Sequence, residues 1–382
     1  MLKTRLFHRI DDVDPARWDV TASEPFSSTA VLRALEEAKL PGVRMRYVAL
    51  EDAAGRWVAA TSLASLEIDG ARLTHGLFRG IIETVRRLSP GFLNTRLMVC
   101  GTPLSVGNPP VRMARGTDAV VALRTLGGVL DEVAEEERSS WRVFKEFPAT
   151  QIDAARTALS SAKPRWILVP SEPNCGISVR WSSFEAYMAD LRSHYRYKIR
   201  KAARRLGTDG IEIDVVPLCE AYDARAHALY EQVIQRADVQ LERLTEGFFR
   251  AFGSAFGDRA LLIRFRRDGD LVGWVAMLLD GSVAYDLFHG IDYSGAGDSD
   301  LYFNQLASAV RFAIRRRAAY LSLGQSTLTA KARFGAKPVP LWLALRHRSA
   351  VMSRTLAAGQ RKLFPDTELP RRQVFKDKDP TA

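Results

Sequence analysis

Hydrophobic positions recur along this chain in two rhythms. Short alternating runs mark strands, and runs spaced three to four residues apart mark amphipathic helices. In the first half, Lys3–Ile10 reads as a strand and Ser27–Ala38 as a helix with an apolar stripe of Val31, Leu32, Leu35 and Ala38. Met45–Leu50 and Trp57–Ile68 flank Ala53-Ala-Gly-Arg56, the signature of a hairpin. Residues 101–116 are rich in Gly and Pro and read as a loop. A long helix is predicted over Thr117–Glu137, capped by Asp118, with Val120, Leu123, Leu126, Leu130 and Val133 on its apolar side. Arg142–Phe147 is a strand and Asp153–Ser161 a helix. Pro170-Ser-Glu-Pro173 punctuates the middle of the chain, and a boundary is expected near it.

The second half repeats the alternation. Ser182–Ser193, Tyr195–Leu206, Glu220–Ala237 and Asp300–Arg317 read as helices, the last capped by Asp300. Ile211–Pro217, Leu261–Arg267, Leu271–Leu279, Ser282–Gly290, Ala319–Gly324 and Val339–Arg346 read as strands. Asp268-Gly-Asp270 and Asp280-Gly281 join three of them into an antiparallel meander. This predicts an α/β (α+β) chain of two domains, 1–165 and 166–360, with a loose polar tail at 361–382.

Composition narrows the class. With 382 residues, 47% hydrophobic and 26% charged, the chain is an ordinary globular one. No membrane span and no secretory signal are read in it. Cys100, Cys175 and Cys219 lie far apart, which argues against a disulfide framework and points to a reducing cytoplasm. Charge is uneven. Residues 1–160 hold 21 Lys and Arg against 20 Asp and Glu, and residues 161–382 hold 34 against 24. An anionic partner is therefore expected at the second half.

Several chemistries lack their motif. There is no P-loop, no G-x-G-x-x-G, no H-E-x-x-H and no G-x-S-x-G, and the six histidines show no ligand spacing, so no metal site is expected. Two segments stand out. Arg192–Arg205 holds seven Lys or Arg in fourteen residues. As a helix it puts Tyr195, Ile199, Ala202, Ala203 and Leu206 on one side and Arg196, Arg200 and Arg204 on another. Either this is a solvated face, or Arg196, Lys198, Arg200 and Arg204 bind phosphate. The second segment runs from Tyr285 to Pro340: a strand, the Gly-bearing loop Ser294–Asp300, a helix, a strand ending at Gly324, then Lys331-Ala-Arg-Phe-Gly335. Gly295 and Gly297 in that loop are candidates for holding an anion, although Asp298 and Asp300 would oppose one.

These segments resemble FemABX-like proteins of the GNAT superfamily. Arg196-Tyr-Lys-Ile-Arg-Lys-Ala202 fits their R-x-x-I/L-R-K/R-A pattern. Ala313-Ile-Arg-Arg316, Leu323-Gly-Gln-Ser326 and Lys331-Ala-Arg-Phe-Gly335 fit their later segments. The resemblance covers roughly residues 180–345, and it covers residues 1–160 only in layout. It implies two GNAT-like domains, each a mixed, mostly antiparallel sheet flanked by helices, the first degenerate and the second catalytic. It also implies acyl transfer to an amine. The usual acetyl-CoA loop, Gln/Arg-x-x-Gly-x-Gly/Ala, corresponds here to Asp292–Ser299, which has glycines but lacks the leading Gln or Arg.

Within that frame the candidate catalytic residues are His289, Asp286 and Tyr302, and the candidate substrate contacts are Tyr285, Asn304, Gln325 and Lys331. Each has a plainer alternative: a strand histidine held by backbone, a core aromatic, a first-turn amide, a surface lysine. Strand alternation sets Asp286 and His289 out of phase, on opposite faces. The leading expectation is an N-acyltransferase that uses acyl-CoA, acetyl-CoA or an acyl carrier protein as donor and a small or amino-acid-like amine as acceptor. The second is an aminoacyl-tRNA-dependent aminoacyltransferase, and the third a non-catalytic RNA-binding or interaction protein.

Overall fold

The computed structural model describes residues 2–21, 24–69, 94–236, 243–294, 300–364 and 372–376. Its strands are β1 (Lys3–Phe7), β2 (Val43–Glu51), β3 (Trp57–Asp69), β4 (Asn94–Cys100), β5 (Arg112–Met113), β6 (Trp141–Pro148), β7 (Ile167–Ser178), β8 (Ile211–Pro217), β9 (Ala260–Arg267), β10 (Asp270–Asp280), β11 (Val283–Ile291), β12 (Tyr320–Gly324) and β13 (Lys337–His347). Two compact units emerge. The first comprises Met1–Glu172, Asp238–Arg243 and Pro340–Thr367; the second comprises Pro173–Ala237, Leu244–Val339 and Glu368–Ala382. Residues 340–360, expected with the second domain, thus belong to the first. The reason is pairing: β13 runs antiparallel to β6 from Leu341 opposite Pro148 to His347 opposite Trp141.

In the first unit the order is β1-β2-β3-β4-β6-β13. The first four strands are antiparallel, and β4 and β6 are parallel. A parallel neighbour needs a crossover. The helix Ala119–Glu136 supplies it, started as predicted by Asp118, whose carboxylate accepts the Val120 and Val121 N–H groups. Its apolar face packs Leu123, Leu126, Leu130 and Val133 against Val48, Leu63, Phe144 and Phe147.

In the second unit the order is β8-β9-β10-β11-β12-β7. Again the first four strands are antiparallel and the next, β12, is parallel to β11. The crossover helix here is Leu301–Arg315. The basic helix Ser193–Thr208 packs on it through Ile199, Ala202 and Leu206; Ala203 is exposed. On helix Glu246–Phe256, Phe248, Phe249, Phe252 and Phe256 are all buried. Each such ring contributes about 1.5–3 kcal/mol relative to an exposed one.

Three further expectations needed correction. The helix expected over Glu220–Ala237 is two helices, Leu218–Ala221 and Ala224–Arg236, because the Asp223 carboxylate accepts the Ala226 N–H and restarts the helix. Asp300 does not cap its helix with its side chain. It adopts a left-handed conformation (φ 49°) and its carboxylate pairs with Arg205 at 3.1 Å. The tail is not wholly loose: helix Ala350–Leu363 extends past Arg361, and Val374 is buried in the second unit's core. Arg192 N–H and Nε donate to the Val374 and Phe375 carbonyls.

Candidate active site

Where β11 meets β12 the parallel pairing is short. It runs from Val283 opposite Tyr320 to Tyr285 opposite Ser322 and stops there. β11 continues for six more residues along β10 alone, and its free edge from Asp286 to Ile291 borders an opening in the sheet.

A bulge decides what faces that opening. Across β10, Ala276 pairs with Phe288 but Met277 pairs with Asp286, so Leu287 is the extra residue. Such a bulge advances the alternation by one. His289 opposes Val275 and Asp286 opposes Met277, two positions on one face of β10. Asp286 and His289 therefore lie on the same face, correcting the sequence expectation of opposite faces.

On that face His289 Nε2 lies 2.9 Å from Asp286 Oδ1. The Asp286 side chain is fully buried and that of His289 is 14% exposed. The contact is off the line that a hydrogen bond needs, and neither Asp286 oxygen accepts one from any described residue. The other ring nitrogen, Nδ1, is 3.0 Å from Gln305 Oε1. The Tyr302 ring meets the His289 ring edge-on at 5.2 Å. The Tyr302 hydroxyl is 2.5 Å from Thr327 Oγ1. Burial pushes the Tyr302 phenol well above its ordinary range; the Thr327 contact opposes this and the nearby Asp286 adds to it. Tyr302 is thus a protonated donor at neutral pH.

The loop carrying Thr327 is held by Lys331. Lys331 is buried, and its ammonium donates to the Gln325 carbonyl. Ser326 and Thr327 take left-handed backbone conformations inside that clamp (φ 63° and 45°). Asn304 is buried and donates to the Ala202 carbonyl at 3.0 Å, tying the crossover helix to the basic one. Tyr285 sits at the last parallel pair, across from Leu278 on β10 and one residue out of phase with Asp286. The fold therefore brings together Asp286, His289 and Tyr302, with Gln325 and Lys331 shaping the adjoining loop. Asn304 serves helix packing instead. Gly295 and Gly297 lie outside the described residues.

On the basic helix, Arg196 donates to the Ala189 and Leu191 carbonyls and so caps the preceding helix. Arg200, Lys201 and Arg204 are exposed beside Tyr197, which is 57% exposed. These three cations and Lys198 form no ion pair with a described residue. A cavity of about 380 Å³ opens in the first unit, lined by Leu2, Trp57, Arg115 and Val121 among others, but no candidate residue lines it.

Gln305 and Thr327 were not singled out from the sequence. Gln305 had a signal: it is a polar residue in the buried stripe Leu301, Gln305, Ala309, Phe312. Thr327 had none, since its position depends on the Lys331 clamp.

Comparison with known proteins bears on this geometry. Residues 193–334 match the family described as an acetyltransferase (GNAT) domain. The matched residues lie almost wholly in the second unit. The matched span includes the basic helix, the whole Asp286–Thr327 constellation and Lys331. Over 346 residues the chain is 25% identical to a Mycobacterium tuberculosis protein named "Putative 8-amino-7-oxononanoate synthase 2". The match covers 88% of this chain but only 44% of that protein, so the chain spans less than half the length of the curated relative. Among solved structures, FemX superimposes with a TM-score of 0.52 at 12% identity, covering 89% of this chain and 96% of FemX. A tandem GNAT protein from the clavulanic acid biosynthesis pathway gives 0.51 at 13%, covering 91% and 99%. These likenesses establish a tandem GNAT, FemX-like fold. Among the described residues, no helix is long and apolar enough to cross a membrane.

Proposed function

We propose that the second unit is an N-acyltransferase that moves an acyl group from a thioester, acyl-CoA or an acyl carrier protein, to the amine of a small or amino-acid-like acceptor. The observation that carries this reading is the convergence of Asp286, His289 and Tyr302 where β11 parts from β12. Attack of a neutral amine on the thioester carbonyl forms the N–C bond and breaks the C–S bond. The amine's surplus proton passes to the Asp286–His289 pair, and the Tyr302 phenol protonates the departing sulfur. The sum is amide plus thiol, with protons returned through solvent. Holding amine and thioester together at the sheet opening supplies several kcal/mol of the barrier reduction. Proton transfer by a placed group supplies about 10²–10⁴-fold more. The test is thiol release from a panel of acyl-CoA donors, in the presence and absence of a panel of amines. Amine-dependent release with at least one donor is expected; release from none would remove the thioester reading.

The basic helix favours a second reading of the donor. Arg200, Lys201 and Arg204 present exposed charge with no counter-ion among the described residues, next to an exposed tyrosine. Like charges at i, i+4 cost a few tenths of a kcal/mol per pair, so stability does not favour them. A donor carried on tRNA would use this face, with affinity falling steeply as salt rises. Binding of charged tRNA, with transfer of its aminoacyl group and no turnover of acyl-CoA, would select that reading. Salt-sensitive RNA binding with no acyl transfer from any donor would select a binding protein instead.

A further inference from the structure

We infer that Gln305 fixes the tautomer of the site: it keeps a proton on His289 Nδ1, so that in the neutral ring Nε2 is the nitrogen open to take up a proton. This rests on the reading of His289 as the proton-transfer group, but the argument is one of hydrogen-bond inventory alone. The Gln305 side chain is fully buried, and its Nε2 donates to two carbonyls, Trp274 O at 3.2 Å and Gly290 O at 2.9 Å. An amide has two N–H groups, and both are committed there. Turning the amide over would set its oxygen against two carbonyl oxygens, so the orientation is locked. Its Oε1, an acceptor only, then faces His289 Nδ1 at 3.0 Å. Nδ1 must therefore be the donor in every protonation state of the ring.

The consequence falls on the other nitrogen. A neutral ring with a proton on Nδ1 has a bare lone pair on Nε2. That lone pair lies beside the Asp286 carboxylate, 2.9 Å from Oδ1 but off the line of a hydrogen bond, and the fully buried carboxylate accepts none from any described residue. In the neutral ring, Nε2 is therefore the nitrogen left to accept a proton, and it does so beside Asp286. The other groups about the pair are these. Tyr302, from the crossover helix, is a neutral phenol held to Thr327. Cys175 and Tyr293 stand beyond Tyr302 and act on it. β10 presents Val275 and Met277, which do not titrate.

Gln305 is thus a positioning residue. Without it the ring is free to place its proton on Nε2, toward Asp286, and leave Nδ1 bare. With it, Nε2 beside Asp286 is the nitrogen that takes up the amine's proton.

The test is nitrogen NMR of full-length protein labelled with ¹⁵N-histidine, with the His289 signals assigned by their loss in His289→Gln. No substrate is required, so the outcome is independent of whether the chain transfers acyl groups. At neutral pH the wild type should show a protonated Nδ1, with the ring either doubly protonated or neutral with Nε2 bare. A neutral ring protonated on Nε2 alone would overturn the proposal. In Asp286→Asn the amide donates to Nε2, so the ring should be neutral with its proton on Nδ1. A neutral ring protonated on Nε2 alone in that variant would also overturn the proposal. Gln305→Met, checked by thermal melting for a retained fold, should populate the Nε2-protonated form. An unchanged ring there would remove Gln305 from the account. If it does not fold, the wild-type and Asp286→Asn spectra still decide. Loss of amine-dependent turnover in Asp286→Asn, by about 10²-fold or more, separately tests the catalytic reading.

Discussion

The two units share one framework and end it differently. Each lays down four antiparallel strands, crosses over by a helix and adds a fifth strand parallel to the fourth. In the second unit, β11 continues past its last parallel pair and presents Asp286 and His289 along that free edge. In the first, β4 stops where its parallel pairing stops, at Cys100 opposite Phe144. Gly101 then turns the chain out of the sheet with a φ of 116°, a conformation that a side chain would resist. A Cβ there would also meet Pro110 Cα at 3.3 Å. The chain returns at β5, which pairs with Ala59 and Ala60 of β3.

The excursion between is fastened to β6. Buried Lys145 donates to the Pro103 and Leu104 carbonyls at 3.3 and 2.7 Å, and Glu146 accepts the Gly107 N–H at 3.0 Å. The two side chains pair with each other at 3.5 Å. So the place that holds Asp286 and His289 in one unit holds a pinned loop in the other. The lesson is that a shared strand order does not carry chemistry; the residues that follow the fourth strand do.

This contrast breaks at its strongest point if His289 is dispensable. Changing His289 to Ala should lower kcat/KM for amine acylation by about 10²–10⁴-fold with the fold intact. That corresponds to about 3–5 kcal/mol of transition-state stabilisation. Steady-state kinetics with the best donor and acceptor from the thiol-release panel measures it. A smaller effect is expected in the first unit, and of a different kind. Lys145→Met leaves Glu146 buried without its cation and should cost about 3 kcal/mol of stability. Denaturant unfolding reads that loss. Turnover per folded molecule should stay at the wild-type value, because the pinned loop carries no chemistry.

The smallest effect is on alkaline stability. Burial raises the phenols of Tyr187, Tyr222 and Tyr302 in the second unit, and that of Tyr47 in the first. A group whose folded value is raised gives stability that is complete below its unfolded value, about 10 for tyrosine, and is lost as pH rises above it. Both units should therefore weaken above about pH 10, and the second should weaken more. Amide exchange followed across that range measures the order of loss.

Much of this framework was legible in the sequence. The hairpin about Gly55, the Asp118 cap, the meander of β9 to β11 and the basic helix all follow from periodicity and turn residues acting locally. Asp286, His289 and Tyr302 were legible as candidates because a titratable pair and a tyrosine flank a strand-to-helix loop. Their common face was not, since it depends on the Leu287 bulge, which arises from the register with β10. β7 was obscured by Pro170 and Pro173. Both lie before Cys175, where its pairing with β12 begins, so neither interrupts that ladder. Lys331 read equally well as a surface lysine because its acceptor is a backbone carbonyl, which leaves no trace in side-chain spacing.

The account's central claim is that only the second unit holds a working acyl site. Hydrogen exchange of the whole chain, with and without a saturating hydrolysis-resistant acyl-CoA analogue, tests it most directly. Protection confined to 286–291, 302–305 and 325–327, with 101–111 and 144–147 unchanged, is the predicted result. Protection of the Lys145-pinned loop, with none along β11, would contradict it.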